Sequence, residues 1–292
     1  MRVTVAGAGI IGLSSAYRLA EAGCEVAVVA SAPPRESTSA VAGGVLYPPG
    51  NRLDERVVRW TEASLAVFRG GDAPGVRFRR GRVLLAAGQP DPQWLPAVDG
   101  GRDGDAVEFT TAVVDTPVYL EWLLAGVRAL GVRFEYRPLT SLSGLGADVV
   151  VNAAGLGAGA LAGDDAIVPV GGQVVHVTDP GLTEFAVDET GPGVTYVIPH
   201  GGHVVCGGTE EPGRADTDPN PAVTADILRR CRELEPRLAE AEVLRSLVGL
   251  RPFRPEVRLE RVGDVVHCYG HGGAGITLAW GCAADVAELV TG

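Results

Sequence analysis

Short apolar runs and stretches of helical spacing alternate along this chain, and several of the runs end in glycine. Arg2-Val3-Thr4-Val5-Ala6 is an apolar run of strand length, and Glu25 to Ala30 is another. Between them Leu13 to Ala22 has helical spacing, and Gly23 stops it. Asp54 to Arg69 reads as an amphipathic helix, followed by two strands, Val76 to Arg79 and Gly81 to Ala86. Residues 87–105, rich in Gly, Pro and Asp, read as loops around a short segment at Trp94. Thr116-Pro117 opens a helix that runs to Leu130, with Thr116 as its N-cap. Val132 to Tyr136 and Ala147 to Asn152 are strands.

The middle third changes character. Gly171 to Val177, Val194 to Pro199 and His203 to Gly208 alternate over short lengths, which predicts an antiparallel sheet and so a second lobe. Asp218 to Ala241 is helical with a break near Pro236. Val243 to Leu250 and Glu256 to Val262 are strands, separated by Arg251-Pro252-Phe253-Arg254-Pro255. Val265 to Tyr269 is a buried strand, and Leu278 to Val290 is a helix.

The glycines at the strand ends carry the chemistry. Gly7-Ala8-Gly9-Ile10-Ile11-Gly12 lies between a strand and a helix, the setting that turns a weak G-x-G-x-x-G pattern into a dinucleotide-binding fingerprint. Gly7 permits the tight turn, Gly9 lets a pyrophosphate approach, and Gly12 lets helix and strand meet. Gly155-Leu156-Gly157 follows another strand in the same way. Gly270-His271-Gly272-Gly273-Ala274-Gly275-Ile276-Thr277 lies between the last strand and the last helix, where close backbone and helix-start N–H groups suit an anion or an electron-rich ring edge. Ser37, Thr38 and Ser39 either cap a short helix or bond a phosphate, and Gly43-Gly44 lets a flat ring lie on backbone. The acid usual after the second strand is replaced by Ser31, which gives one weaker ribose contact or serves as a turn residue.

The totals narrow the function classes. At 292 residues and 46% hydrophobic the chain buries a large core, and at net charge -11 with no Lys it has no basic patch for nucleic acid or anionic membrane. Its five cysteines include no C-x-x-C pair, so they read as buried thiols in a reducing, cytoplasmic setting, with no metal site expected. No run of 18 apolar residues predicts a membrane-spanning helix.

Together, Gly249 to Arg261 (GLRPFRPEVRLER) and Tyr269 to Ala283 (YGHGGAGITLAWGCA) resemble the D-amino acid oxidase family. Support comes from Val5 to Ser14, Ala40 to Gly44, Val151 to Leu161 and Tyr196 to Pro199. The likeness spans nearly the whole chain and is weakest at 50–115 and 179–195. It implies an α/β fold: a Rossmann-type FAD-binding domain from residues 1–50, 117–160 and 265–292, and an α+β substrate domain on an antiparallel sheet from 51–116 and 161–264. It implies noncovalent FAD, an amino acid substrate, molecular oxygen as acceptor, and compatibility with a homodimer. Arg251 resembles the arginine that binds the substrate carboxylate, Gly273 the backbone carbonyl that holds the amino group, and Tyr196 an active-site tyrosine. Gly44, Val45 and the 270–277 loop resemble flavin-contacting backbone.

Besides Ser31, the chain departs from the family in two places. A second tyrosine expected four residues before Tyr196 is Pro192, and the segment that forms a lid is only Asp188 to Gly193. The pocket is therefore expected to be more open than is usual in the family and to admit bulkier D-amino acids, unless a neighbouring subunit or the 87–105 loop covers it. Two other readings stay open: a glycine- or sarcosine-type amine oxidase, and a flavin dehydrogenase with an acceptor other than oxygen.

Overall fold

The computed structural model describes residues 1–47, 55–92, 94–95, 98–191 and 193–292. Pro192 therefore lies outside the described residues. In chain order the elements are β1 (Arg2–Ala6), α1 (Ile10–Glu21), β2 (Glu25–Ala30), α2 (Glu55–Arg69), β3 (Val76–Leu84), β4 (Asp99–Asp103) and β5 (Ala106–Val114). Next come α3 (Thr116–Ala129), β6 (Arg133–Tyr136), β7 (Val149–Asn152), α4 (Gly157–Ala162), β8 (Val168–Thr178), β9 (Phe185–Asp188), β10 (Thr195–Pro199), β11 (His203–Gly207) and β12 (Glu211–Pro212). The chain closes with α5 (Pro221–Leu234), β13 (Val243–Val262), β14 (Val265–His271) and α6 (Gly275–Thr291). Short 3-10 turns lie at Pro34–Glu36, Thr38–Val41, Pro236–Leu238 and Gly272–Ala274.

The strands join one sheet with two regimes. At one end β14, β7, β1, β2 and β6 run side by side and parallel. At the other, β4, β5, β3, β9, β10, β11, β8 and β13 are antiparallel except where β3 meets β9. Strand β13 joins them: its first half pairs with β8 and its second half with β14.

Several elements differ from the sequence reading, each for a physical reason. The two strands expected around Arg251 to Pro255 are one, β13. Its prolines lie where the strand leaves one partner for the other, and the register with β14 shifts between Phe253 and Arg258, so the missing N–H donors break little of either ladder. Likewise Val76 to Leu84 is one strand. The supposed loop at 87–105 contains β4, in which Gly100 is needed because a Cβ there would strike the main chain and Cβ of Phe109 on β5. Strands β5 and β9 had no reading at all. Helices α1 and α6 begin earlier, at Ile10 and Gly275, so the glycine motifs run into their first turns. Asp115, not Thr116, precedes α3, and it makes no side-chain cap bond. By contrast, α5 starts after Asn220, whose side chain accepts from the Ala222 N–H at 2.9 Å.

Helix α6 fixes the parallel half. It packs on α1 and α2; Trp280 is 3% exposed, its indole N–H donates to the Tyr119 hydroxyl at 2.9 Å, and Tyr17 meets it edge-on. Each large apolar side chain so buried contributes roughly 1.5–3 kcal/mol. Gly281 carries no side chain because a Cβ would collide with the Trp60 main chain. Gly272–Thr291 is long and apolar enough, at mean hydropathy 1.2, to cross a membrane by length and composition. Most of it is buried against α1, α2 and β13, so core packing already uses its apolar surface.

Candidate active site

The sheet register lays one face of the antiparallel half under a cavity. Directly paired residues share a face, so Val187, Tyr196, Gly207, Val174, Leu247 and, two residues further along, Gly172, Gly249 and Arg251 all present one side. The glycines leave that face open, and Tyr196 lies over Gly207 and Gly208, where any Cβ would meet its ring. A cavity of about 1630 Å³ stands above this face and continues to the carboxyl ends of β1, β2, β7 and β14. Such strand ends are where open α/β sheets take ligands, and the volume exceeds that of ordinary small-molecule sites.

The first glycines shape the far wall. Gly7 has φ 114°, a conformation open to glycine, and its Cα faces the Ala153 carbonyl at the end of β7. Gly12 does not line the cavity. A Cβ there would overlap the Gly7 carbonyl, so Gly12 lets α1 close onto the turn. Gly9, Ile10 and Ile11 line the cavity, as do Gly155 and Leu156 after β7 and Ser31 after β2. The three hydroxyls each have a protein partner and none makes the N-cap bond of its own turn. Ser37 donates to the Pro34 carbonyl at 2.6 Å, Thr38 to the Leu250 carbonyl at 3.0 Å, and Ser39 accepts from the Ile10 N–H at 3.1 Å. Ser39 thus caps α1 from outside it, and Thr38 ties this wall to the residue before Arg251.

The third wall comes from two segments. Gly43, Gly44 and Val45 run beside the end of β5, with Val114 N–H bonded to the Gly44 carbonyl at 2.8 Å and a bridge from Val45 to Val113. Gly44 has φ 79° and no room for a Cβ against the Val114 carbonyl. Gly270, Gly272, Gly273, Ala274, Gly275, Ile276 and Thr277 form the turn into α6 and line the cavity opposite. Gly273 stands beside Arg251: a Cβ there would be 3.5 Å from Cδ and Nε.

Arg251 is the cation of this cavity. Its Nη1 donates to the Thr209 carbonyl at 2.8 Å and reaches the Gly171 carbonyl at 3.5 Å, and no carboxylate among the described residues pairs with it. Arg254, three residues on, is different in kind: its Nε bonds Asp164 at 3.0 Å and its Nη1 the Glu256 carbonyl. Tyr196 lies beside the Arg251 guanidinium; burial holds its phenol above the usual range, with the guanidinium pulling the other way. Tyr47 donates to Glu189 Oε1 at 2.9 Å, and burial, then Glu189, raise its pKa well above normal. Both phenols are therefore neutral donors at neutral pH. Burial also raises the Glu189 carboxyl, against the Tyr47 hydrogen bond.

The connection from β9 to β10 is the short lid, and Glu189, Gly191, Gly193 and Val194 from it line the cavity. Gln89 to Pro92 and Trp94 line it too, so the segment after β3 contributes cover that the lid does not. Every candidate catalytic or cofactor residue named from sequence, apart from Gly12, lines this one cavity. Sequence reasoning missed Gly172, Thr209, Tyr47, Glu189 and Glu210. Glycines inside a strand, as in Gly171-Gly172, signal a close approach and were the one available hint. It also missed a buried cluster of Cys268 and His271 on β14 with Cys282 on α6, whose ligand atoms lie within 4.8 Å of one another. Burial pushes the Cys282 thiol up, while its hydrogen bond to Cys268 draws that thiol down. All five thiols are free.

A glycine turn at the switch between β1 and β7, with an antiparallel sheet facing it, is the arrangement of a dinucleotide-dependent enzyme. The chain belongs to the family described as FAD dependent oxidoreductase (DAO), whose pattern matches residues 2–289. It is 46% identical over 310 residues to a D-amino-acid oxidase of Rubrobacter xylanophilus, covering 99% of this chain and 95% of that protein. It is 40% identical over 310 residues to a D-amino-acid oxidase of Streptomyces coelicolor, covering 99% and 96%. Among solved structures, glycine oxidase from Geobacillus kaustophilus shares the fold at TM-score 0.82 and 19% identity, over 99% of this chain and 94% of that one.

The cavity fits FAD on its own terms. Gly7 and Gly12 close the β1–α1 turn so tightly that neither admits a Cβ, while Gly9 lines the cavity and a Cβ there would stand 3.3 Å from the Ser39 hydroxyl. The buried Nε2 of His271, at the end of β14, has no hydrogen-bond partner among the described residues, and its ring stands beside the Cys268 and Cys282 thiols.

Proposed function

We propose that this chain oxidises D-amino acids. The substrate, oxygen and water give a 2-oxo acid, ammonium and hydrogen peroxide, through the imino acid. The observation that carries the reading is Arg251: a half-buried guanidinium with no carboxylate partner among the described residues, on the open face of the sheet, beside a neutral phenol. A guanidinium so held fixes a carboxylate in position and plane. Backbone carbonyls of Thr209 and Gly171 orient it without neutralising it, so its charge remains for the substrate.

When bound, FAD takes up the α-hydrogen with two electrons and passes the electrons to an acceptor. The chain's part is placement. Arg251 anchors the α-carboxylate, the neutral Tyr196 phenol donates to the same end, and the Gly273 carbonyl accepts from the amino group. Two fixed ends determine which face of the α-carbon meets the glycine-lined half of the cavity, and such fixing supplies much of the rate. The names of the two sequence relatives support D-amino acids as the substrate class.

The test is a peroxide assay in air on D- and L-amino acids, glycine and sarcosine, repeated with an artificial electron acceptor. Peroxide from D-amino acids is expected. Turnover of glycine and sarcosine alone would make the chain an amine oxidase of that type, and turnover only with the artificial acceptor would make it a dehydrogenase.

A further inference from the structure

The charged side chains that line the cavity are unevenly matched. Among the described residues the one guanidinium is Arg251, against four carboxylates, Glu36, Asp91, Glu189 and Glu210. Two have partners: Glu36 lies 3.5 Å from Arg35, and Asp91 lies 3.2 Å from Arg102. Glu189 and Glu210 have no cationic partner among the described residues. Both belong to segments beside the substrate anchor, Glu210 with an exposed side chain. Glu210 follows Thr209, whose carbonyl holds the Arg251 guanidinium. Glu189 follows β9, one residue past the strand that pairs with Tyr196, and accepts from Tyr47. The two are near enough that Glu210 adds to burial in raising Glu189.

We propose that Glu189 and Glu210 form the side-chain subsite and select D-amino acids with a cationic side chain, such as D-lysine and D-arginine. The inference rests on the D-amino acid reading above. With the α-carboxylate on Arg251 and the flavin in the glycine-lined half, the proposal sets the substrate side chain toward Tyr47, Glu189 and Glu210, which line the same cavity. Two carboxylates without a counter-charge repel each other there, and a cation placed between them relieves that repulsion. An acidic side chain adds a third like charge to the same space. Tyr47, backed by the buried Trp94, gives an apolar wall for the methylenes of a long basic side chain.

The experiment compares kcat/KM on D-lysine, D-arginine, D-norleucine and D-glutamate for the wild type, Glu189→Gln and Glu210→Gln, as holoenzymes in low salt. D-Norleucine has the length of D-lysine without its charge. The expected D-lysine to D-norleucine ratio is about tenfold or more, falling at least severalfold in each variant, with D-glutamate the poorest substrate. A ratio taken on one preparation cancels losses of flavin or folded protein. The proposal is overturned if D-norleucine or D-glutamate equals D-lysine, or if neither variant moves the ratio. Failure to oxidise D-norleucine and every other D-amino acid overturns the activity itself, whereas charge-blind oxidation overturns only the selectivity.

Discussion

Gly172 and Arg251 are diagonal neighbours across β8 and β13. Gly172 pairs with Gly249, Arg251 lies two residues further on, and the guanidinium turns its plane toward the Gly172 α-carbon. A Cβ on Gly172 would overlap Nη1, Cζ and Nη2 together. The absence of a side chain at Gly172 is what allows the guanidinium to lie along the sheet under the cavity.

Gly172→Ala should therefore displace Arg251 while leaving the glycine-lined half intact. The lost charge-assisted contact is of order ~1.5–3 kcal/mol, or roughly tenfold to a hundredfold in KM. Bound flavin per chain, read by absorbance, should not change. A normal KM would show that Arg251 does not anchor the substrate from this position.

Arg251→Leu and Arg254→Leu should separate. The first should lower kcat/KM by about a hundredfold or more with flavin retained. The second breaks the pair with Asp164, whose side chain is only 11% exposed, and should cost roughly 1–3 kcal/mol in stability with activity largely kept. Steady-state kinetics and thermal melts on both variants check this, and the reverse pattern would overturn the assignment.

Gly12→Ala drives a methyl into the Gly7 carbonyl, so α1 must move away from the β1 turn. Overpacking of this kind costs roughly 1–3 kcal/mol. Reduced flavin content after gel filtration and a lower Tm are expected together. Full flavin content would mean that the turn tolerates the shift.

Acid should destabilise the protein through three stacked histidines. His203 stacks on His176 at 4.7 Å and on His200 at 5.0 Å. Burial first, then Arg245, lowers His176 to about 3, and burial with His203 lowers His200 to about 4. These folded values lie below the unfolded value of about 6.5, so above that pH neither state is charged and nothing is lost. As pH falls below it the unfolded chain binds protons first, and stability drops until the folded values are reached. Each of His176 and His200 should cost roughly 1–2 kcal/mol by pH 5. Urea unfolding at pH 7.5, 6 and 5 should show a shallower loss in His176→Asn; an unchanged slope would exclude the stack as the cause.

The strand ends and their glycines were legible because the constraint is local. Gly7 and Gly12 act on each other within one turn, and Gly270 to Thr277 lies between a strand and the helix it starts. Arg251 was legible through family resemblance and through the apolar run Leu247 to Leu250 that it follows, but the different role of Arg254 was not. That distinction needs Asp164, which is far away in sequence and meets Arg254 only once β14 is in place.

Local pattern thus determined the parallel half of the sheet, most of the helices and the glycine-lined side of the cavity, since those residues answer to neighbours a few positions away. Tertiary structure decided that β13 is one strand, that Gly-rich 99–103 is an edge strand, and that Gly172 and Thr209 hold Arg251 in a cavity that Tyr47, Glu189 and Glu210 also line. Register between strands distant in sequence sets which side chains share a face, and so which charges meet. That register depends on long-range pairing and close contact, which no single stretch of the chain encodes.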